Sequence, residues 1–296
     1  RIDGAFADID LTRELPIVTG YAHCREGLMR LYDRGYSEVT FSRIAARTGA
    51  REAIIHKEFH LSSADPKIVG ADKVRKIGHT NYDVADQLSN LGMEAIHPSA
   101  AKTLRQADIG LRVANAFEPH DPGTIIEAEI GGAPQVQMVT GLDLVALEVF
   151  EQDMVGVKGY DTTVLEALKR HGVRIVAKSS NANTITHYVD ASLKSVRRVE
   201  AEIAKSFPSA RIHVQRVSLV SVVGRSLEGL SVMLRGLTAL EAAGIAPIAS
   251  HQNGRRVDVQ FVVAEEQKLD AVRALHRALV EQQGAAARRV AAVAVA

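Results

Sequence analysis

Two stretches of this chain resemble each other at a spacing of about seventy residues, and that internal repeat limits the fold more than any other feature. In the first, an apolar stripe through Val164, Leu165 and Leu168 ends at Gly172, followed by strand-like runs at 173–178 and 184–189 and a helical pattern over 191–205. In the second, Leu230, Leu234, Leu237 and Leu240 lead to Gly244, then runs at 245–249 and 256–263 and a helical pattern over 266–280. β-rich runs at 142–150 and 212–223 precede the two copies. Apolar residues three and four apart mark one face of a helix, and glycine just past the stripe ends it. Each copy therefore reads βαββαβ, a split-βαβ sandwich with its helices on one face of a sheet.

The rhythm before residue 130 is different. The pattern predicts a helix over 36–48, with Val39, Phe41, Ile44 and Ala45 inward and Gly49 as its stop. Short buried strands are expected at 16–20, 53–55 and 109–114, a helix over 82–91 stopped by Gly92, and a helix from a Ser99 cap to Ala107. Loop chemistry at 62–66 and 119–123 breaks the chain. Helices alternating with short apolar strands indicate an α/β layer with a largely parallel sheet. Composition serves mainly to exclude. Lys+Arg 36 against Asp+Glu 35 leaves a net charge of +1, which supports neither a nucleic-acid nor a membrane partner. No apolar run approaches the ~20 residues of a membrane span. The single cysteine, Cys24, forms no internal disulfide and suits a reducing, cytoplasmic setting.

Four segments then stand in a telling order. They are Asp33-Arg34-Gly35-Tyr36-Ser37-Glu38-Val39-Thr40; His56-Lys57-Glu58 with Ser63-Ala64-Asp65-Pro66-Lys67; Tyr82-Asp83 leading to Gly92-Met93-Glu94-Ala95-Ile96-His97-Pro98; and Asn115-Ala116-Phe117 with Pro122-Gly123-Thr124. The set resembles aspartate kinases, from about residue 15 to about residue 283, and is most similar to the subgroup associated with ectoine biosynthesis. The first segment looks like that family's Arg-Gly-x-Ser/Thr-Asp turn, the second like its nucleotide loop, the third like its Gly-Ala-Lys-Val-Leu-His-Pro helix end. The fourth looks like the stretch that closes its kinase domain. The fold implied is α/β: the C-terminal half of an amino-acid-kinase fold followed by two ACT (βαββαβ, ferredoxin-like) domains. Expected boundaries are 1–128 for the kinase part, 129–212 and 213–283 for the ACT domains, and 284–296 for a tail.

The resemblance implies transfer of the γ-phosphoryl group of ATP to the side-chain carboxylate of L-aspartate. That nucleophile is already ionised, so catalysis rests on positioning and on charge neutralisation by Mg²⁺ and cationic groups. On the matching positions, Arg34 is the expected grip on aspartate; without the motif it reads as a surface arginine in a turn. Ser37 is a helix N-cap, a substrate contact, or both. Glu38 stands where the family usually has aspartate and is assigned to orienting the phosphoryl group or metal. Lys57, Glu58, Ser63, Asp65 and Pro66 are the expected nucleotide-binding set; Lys57 and Glu58 taken singly also read as an exposed charge pair at a strand end. Glu94 departs from the family, which usually carries a lysine there; a carboxylate would repel ATP unless a cation intervenes. His56 and His60 lie four apart on a strand-like run, whereas a zinc pair at that spacing wants a helix, so no metal ligand set is read from them.

Met154, Gly159 and Tyr160 fall where ACT pairs of the family cradle an amino-acid effector; plain packing is the alternative. Val176 and Ala182 replace polar or acidic residues of lysine-sensitive relatives, so a lysine ammonium would find no carboxylate at either point. Weak or absent sensitivity to lysine is therefore expected. A homodimer through ACT strands is expected as well. The family's Lys-x-Gly-Gly-Thr segment does not occur in this chain, which is therefore expected to be inactive alone. The rival reading is a non-catalytic ACT-containing regulatory subunit, for which the set Arg34, Ser37, Lys57 and Asp65 would have no use.

Overall fold

The computed structural model describes residues 2–20, 35–93, 96–128 and 133–282. Two compact units emerge: Arg1–Met138 with Val223–Leu230 and Arg255–Asp258, and Val139–Val222 with Ser231–Gly254 and Val259–Ala296.

The first unit carries a four-stranded sheet. A short helix α1 (Ile2–Phe6) precedes α2 (Tyr36–Thr48). Of the expected inward stripe Val39 and Ala45 are buried and Phe41 and Ile44 only partly so, with Ser42 buried beside them, and Gly49 ends the helix at φ 64°. Then come β1 (Glu52–Lys57), the one-turn α3 (Pro66–Val69), β2 (His79–Asn81), α4 (Tyr82–Asn90), α5 (Pro98–Gln106), β3 (Gly110–Asn115) and β4 (Thr124–Glu127). The sheet order is β1-β3-β4-β2, with β1 and β3 parallel, β2 and β4 parallel, and β3 and β4 antiparallel. Tyr82, Leu88, Ile96, Leu104, Leu111 and Ile126 fill its core; each such side chain removed from water contributes roughly 1.5–3 kcal/mol.

Two local expectations fail here. Residues 16–20 form no strand, and Ile17 is 95% exposed; an apolar run becomes a strand only where another strand offers hydrogen bonds. The helix beginning at Pro98 is capped by His97, whose Nδ1 accepts from the Ser99 amide at 3.1 Å, not by Ser99. Proline at the first helical position needs no hydrogen-bond acceptor, which moves the cap one residue ahead of it.

The repeats build one six-stranded sheet from two very long strands. The elements are β5 (Gln135–Phe150), α6 (Tyr160–Arg170), β6 (Arg174–Ser180), β7 (Thr184–Asp190), α7 (Leu193–Ser206), β8 (Arg211–Arg225), α8 (Val232–Ala242), β9 (Ala249–Gln252), β10 (Asp258–Ala264) and α9 (Lys268–His276), prolonged by a π-helical turn over Arg277–Glu281. The order β6-β7-β5-β8-β10-β9 contains two overlapping four-strand sets. β5 and β8 serve in both: each opens one βαββαβ copy and closes the other. The C-terminal part of β5 pairs with β7, Val145 opposite Val189 through Phe150 opposite Thr184. Its middle faces the second copy, since a Cβ on Gly141 would sit 3.0 Å from Lys268 Cγ and 3.3 Å from Val272 Cγ2. At the start of β5, Gln137 accepts from the Thr80 hydroxyl and donates to the His79 carbonyl, each at 2.7 Å. The core of the first copy gathers Leu147, Val149, Val164, Leu168, Val196 and Ile203. In the second copy, residues 245–248 run outside the sheet and β9 starts only at Ala249. That segment offers a single ladder contact, from the Ile248 amide to the Val262 carbonyl at 2.7 Å.

Candidate functional site

In α/β sheets, ligands lie beyond the carboxyl ends of the parallel strands. Lys57 ends β1, opposite Asn115 at the end of β3. Its Nζ donates to Glu38 Oε1 at 3.0 Å, while Glu38 Oε2 accepts from the His97 backbone amide. One carboxylate thus joins the first turn of α2, the end of β1 and the cap of α5. Lys57 and Glu38 keep 27% and 24% of their side-chain surface, so the ion pair is screened less than a surface pair yet remains reachable by ligand.

Glycine makes this convergence possible. Gly35 precedes α2 at φ 72°, and a Cβ there would lie 2.8 Å from the His97 ring. Gly20 is packed more tightly still: a Cβ there would collide with Ser37 Oγ, and Thr40 donates to the Gly20 carbonyl at 3.1 Å. The cap of α2 is Gly35, without a side-chain bond, so Ser37 is not the N-cap. It lies exposed within the first turn, available for contact.

The remaining positions sort as follows. Ser63 is buried; its Oγ accepts from the Arg75 amide at 2.9 Å and its own amide donates to the Arg75 carbonyl at 2.8 Å. Asp65 caps α3 by accepting from the Lys67 amide at 2.8 Å, with Pro66 at the first helical position. Glu58 is exposed. Arg34 and Glu94 lie outside the described residues, as do Cys24 and the tail 284–296.

The second cradle precedes α6. Met154 closes a 3₁₀ turn and is buried, Gly159 caps α6 at φ 101° without a side-chain bond, and Tyr160 stacks on Phe207 with ring centroids 4.4 Å apart. Uncapped amides at a helix start attract anions such as a carboxylate. Sequence reasoning missed three polar neighbours. Asp161, in the first turn, pairs through Oδ2 with Lys178 on β6. Its Oδ1 lies 3.8 Å from Nε2 of His187, a fully buried residue on β7. Asp161 Oδ1 and both ring nitrogens of His187 are buried without hydrogen-bond partners. No linear spacing relates these three positions; only strand register does, with Lys178 opposite His187.

Burial, reinforced by the positive charge of Lys178 and opposed by Asp161, pushes the His187 pKa down to about 4. Above pH ~6.5 the ring is neutral in both folded and unfolded chains and costs nothing. Below it, the unfolded chain binds a proton that the folded one refuses, so stability falls toward pH 4, by roughly 2 kcal/mol at pH 5. Unfolding free energies measured from pH 7.5 to 5 should show this slope in the wild type and a shallower one in His187→Gln; equal slopes would refute the assignment.

A half sheet of this order followed by interleaved βαββαβ copies is the fold of the C-terminal part of an amino-acid-kinase domain with ACT-type modules. Residues 6–115 match the Amino acid kinase family. The aspartate kinase Ask_Ect of Stutzerimonas stutzeri (strain A1501) is 52% identical over 284 residues, which cover 95% of this chain and 60% of that protein. The crystal structure of the Clostridium acetobutylicum aspartate kinase, described as an allosteric enzyme, superposes with a TM-score of 0.74 at 21% identity, covering 82% of this chain and 57% of that one. E. coli aspartokinase III in complex with aspartate and ADP gives 0.69 at 19% identity, with coverages of 84% and 56%. Along 95% of its length the chain is similar to an aspartate kinase. It spans about three-fifths of the length of these proteins.

Proposed function

We propose that the protein phosphorylates the side-chain carboxylate of L-aspartate with ATP, giving 4-phospho-L-aspartate for aspartate-family amino acids and, by its subgroup, for ectoine. The observation that carries this reading is the Glu38 carboxylate holding Lys57 at the ligand end of β1 and the amide of His97 at the start of α5. A fixed ammonium at the ligand end of a parallel strand suits a transferring phosphoryl group. Arg34 and Ser37 take the aspartate; Lys57, Glu58 and the loop of Ser63, Asp65 and Pro66 take the nucleotide. Mg²⁺ would come with ATP and would supply neutralisation of the phosphate charge beside Lys57. Both oxygens of Glu38 are engaged by Lys57 and His97, which favours a positioning role for it over metal ligation.

We take the domain limits as a kinase part to about 128, a first ACT module over 129–212 and a second over 213–283, the second borrowing the start of β5. The cradle of Met154, Gly159 and Tyr160 is the amino-acid effector site, and pairing of ACT strands makes a homodimer. Among the described residues no helix is long and apolar enough to cross a membrane, and we place the protein in the cytoplasm. The full-length protein should release ADP only when aspartate is present, and hydroxylamine should trap the acyl phosphate as a hydroxamate. ADP release without aspartate dependence, or none, would reject the reading; this chain by itself should give none.

Lysine should inhibit weakly. Val176 and Ala182 offer no carboxylate, and Asp161 is already paired with the chain's own Lys178. At about 1 mM lysine, where a ligand bound by only ~4 kcal/mol half-saturates, activity should change by less than about twofold. Half-inhibition at sub-millimolar lysine would contradict this.

A further inference from the structure

The loops that follow β1 and β3 bring together three ligand-type side chains far apart in sequence: His60, Glu118 and Asp121. One donor atom from each lies within 4.8 Å of the others. His60 Nε2 is 3.1 Å from Glu118 Oε2, and His60 Nδ1 is 3.8 Å from Asp121 Oδ1. The His60 side chain is only 19% exposed, and its Nδ1 is buried with no hydrogen-bond partner. Histidine in a loop ordinarily turns its ring to water; here the ring is held between two carboxylates.

The carboxylates are fixed by neighbours, Glu118 through the oxygen turned away from His60 and Asp121 through the same Oδ1 that faces it. Glu118 Oε1 accepts from the Asn115 amide group at 3.1 Å, and Asn115 Oδ1 accepts from the Phe117 backbone at 3.0 Å. Asn115 is itself buried, and the Ala116 amide donates to the Lys57 carbonyl at 2.8 Å, tying this loop to the end of β1. Asp121 Oδ1 takes the Gly123 amide at 2.7 Å and the ammonium of Lys76, which holds the carboxyl below its usual range. Outer-sphere bonds of this kind orient ligands at metal centres.

We propose that His60, Glu118 and Asp121 form a site for a first-row divalent transition ion of the Zn²⁺ class. One imidazole nitrogen and two carboxylate oxygens suit such an ion better than Mg²⁺ or Ca²⁺, and three protein ligands leave a position for water. His56, four residues before His60, belongs to β1 and takes no part. The site does not depend on the kinase reading. Its opponent is Lys76, whose positive charge beside Asp121 weakens the binding of a cation.

The test is titration of chelator-stripped full-length protein with Zn²⁺ by calorimetry and with Co²⁺ by visible absorption, without nucleotide. One equivalent should bind, with a Co²⁺ ligand-field band. His60→Ala should weaken Zn²⁺ affinity at least tenfold and abolish the band, and Asn115→Ala should weaken affinity about tenfold. Lys76→Met should tighten it. Glu118→Gln, at a more exposed side chain, supplies a second ligand deletion should His60→Ala fail to fold. No stoichiometric uptake, uptake indifferent to the ligand deletions, or no gain from Lys76→Met overturns the proposal.

Discussion

Glu38→Ala in the full-length protein should lower kcat/KM for aspartate-dependent ADP formation by about 10²–10³, the range seen when one preorganised polar contact is removed from a transition state. The loss has two parts. Lys57 is released from its 3.0 Å partner and becomes a mobile ammonium at the end of β1. The His97 amide loses its acceptor, so the start of α5 is no longer pinned to α2. Charge-assisted hydrogen bonds of this kind contribute about 1.5–3 kcal/mol each, so part of the effect should appear as lost stability. Conservative variants separate the parts. Glu38→Gln can still accept from the His97 amide but no longer balances the Lys57 charge. Glu38→Asp keeps the charge but is one methylene too short to span both partners. Both should fall between wild type and Glu38→Ala. Steady-state kinetics at saturating and limiting ATP would check this; an Ala variant within about threefold of wild type would remove Glu38 from the site.

Phe261→Ala should destabilise the second unit by about 3–5 kcal/mol. Phe261 on β10 is fully buried, and α8 rides directly on its ring at Gly236. A Cβ at Gly236 would stand 2.4 Å from Phe261 Cζ, 2.9 Å from Cε2 and 3.3 Å from Leu275 Cδ2. Gly236→Ala alone should therefore cost about 1–3 kcal/mol by overpacking, despite the better helix propensity of alanine. Placed in a Phe261→Leu background, the same change should cost less, because the flat ring no longer fills the gap. Urea unfolding of the four proteins closes the cycle; strict additivity would show that ring and helix do not share the space.

Legibility divided by range. Helix α2 appears over the residues its apolar spacing marks, because its inward stripe, Gly49 and the absence of an internal breaker all act within one turn of each other. Gly92, Gly172 and Gly244 likewise lie just past the helices they end, at φ 76°, 64° and 71°. The doubled βαββαβ pattern was visible for the same reason. Residues 16–20 and 245–248 misled, since β-branched content signals a strand only where a partner edge exists.

At the site, the motif positions were readable but their relations were not. Glu38 and Lys57 are nineteen residues apart and Glu38 and His97 fifty-nine, and Asp161, Lys178 and His187 come from three separate elements. Residue chemistry, helix ends and the repeat are written in neighbouring positions, where backbone sterics and apolar periodicity act. The sharing of β5 and β8 between two modules, the clamp on Lys57 and the ring of His60 between two carboxylates came only with the fold. They depend on strand register and loop convergence, which are set by packing between segments that the linear order keeps apart.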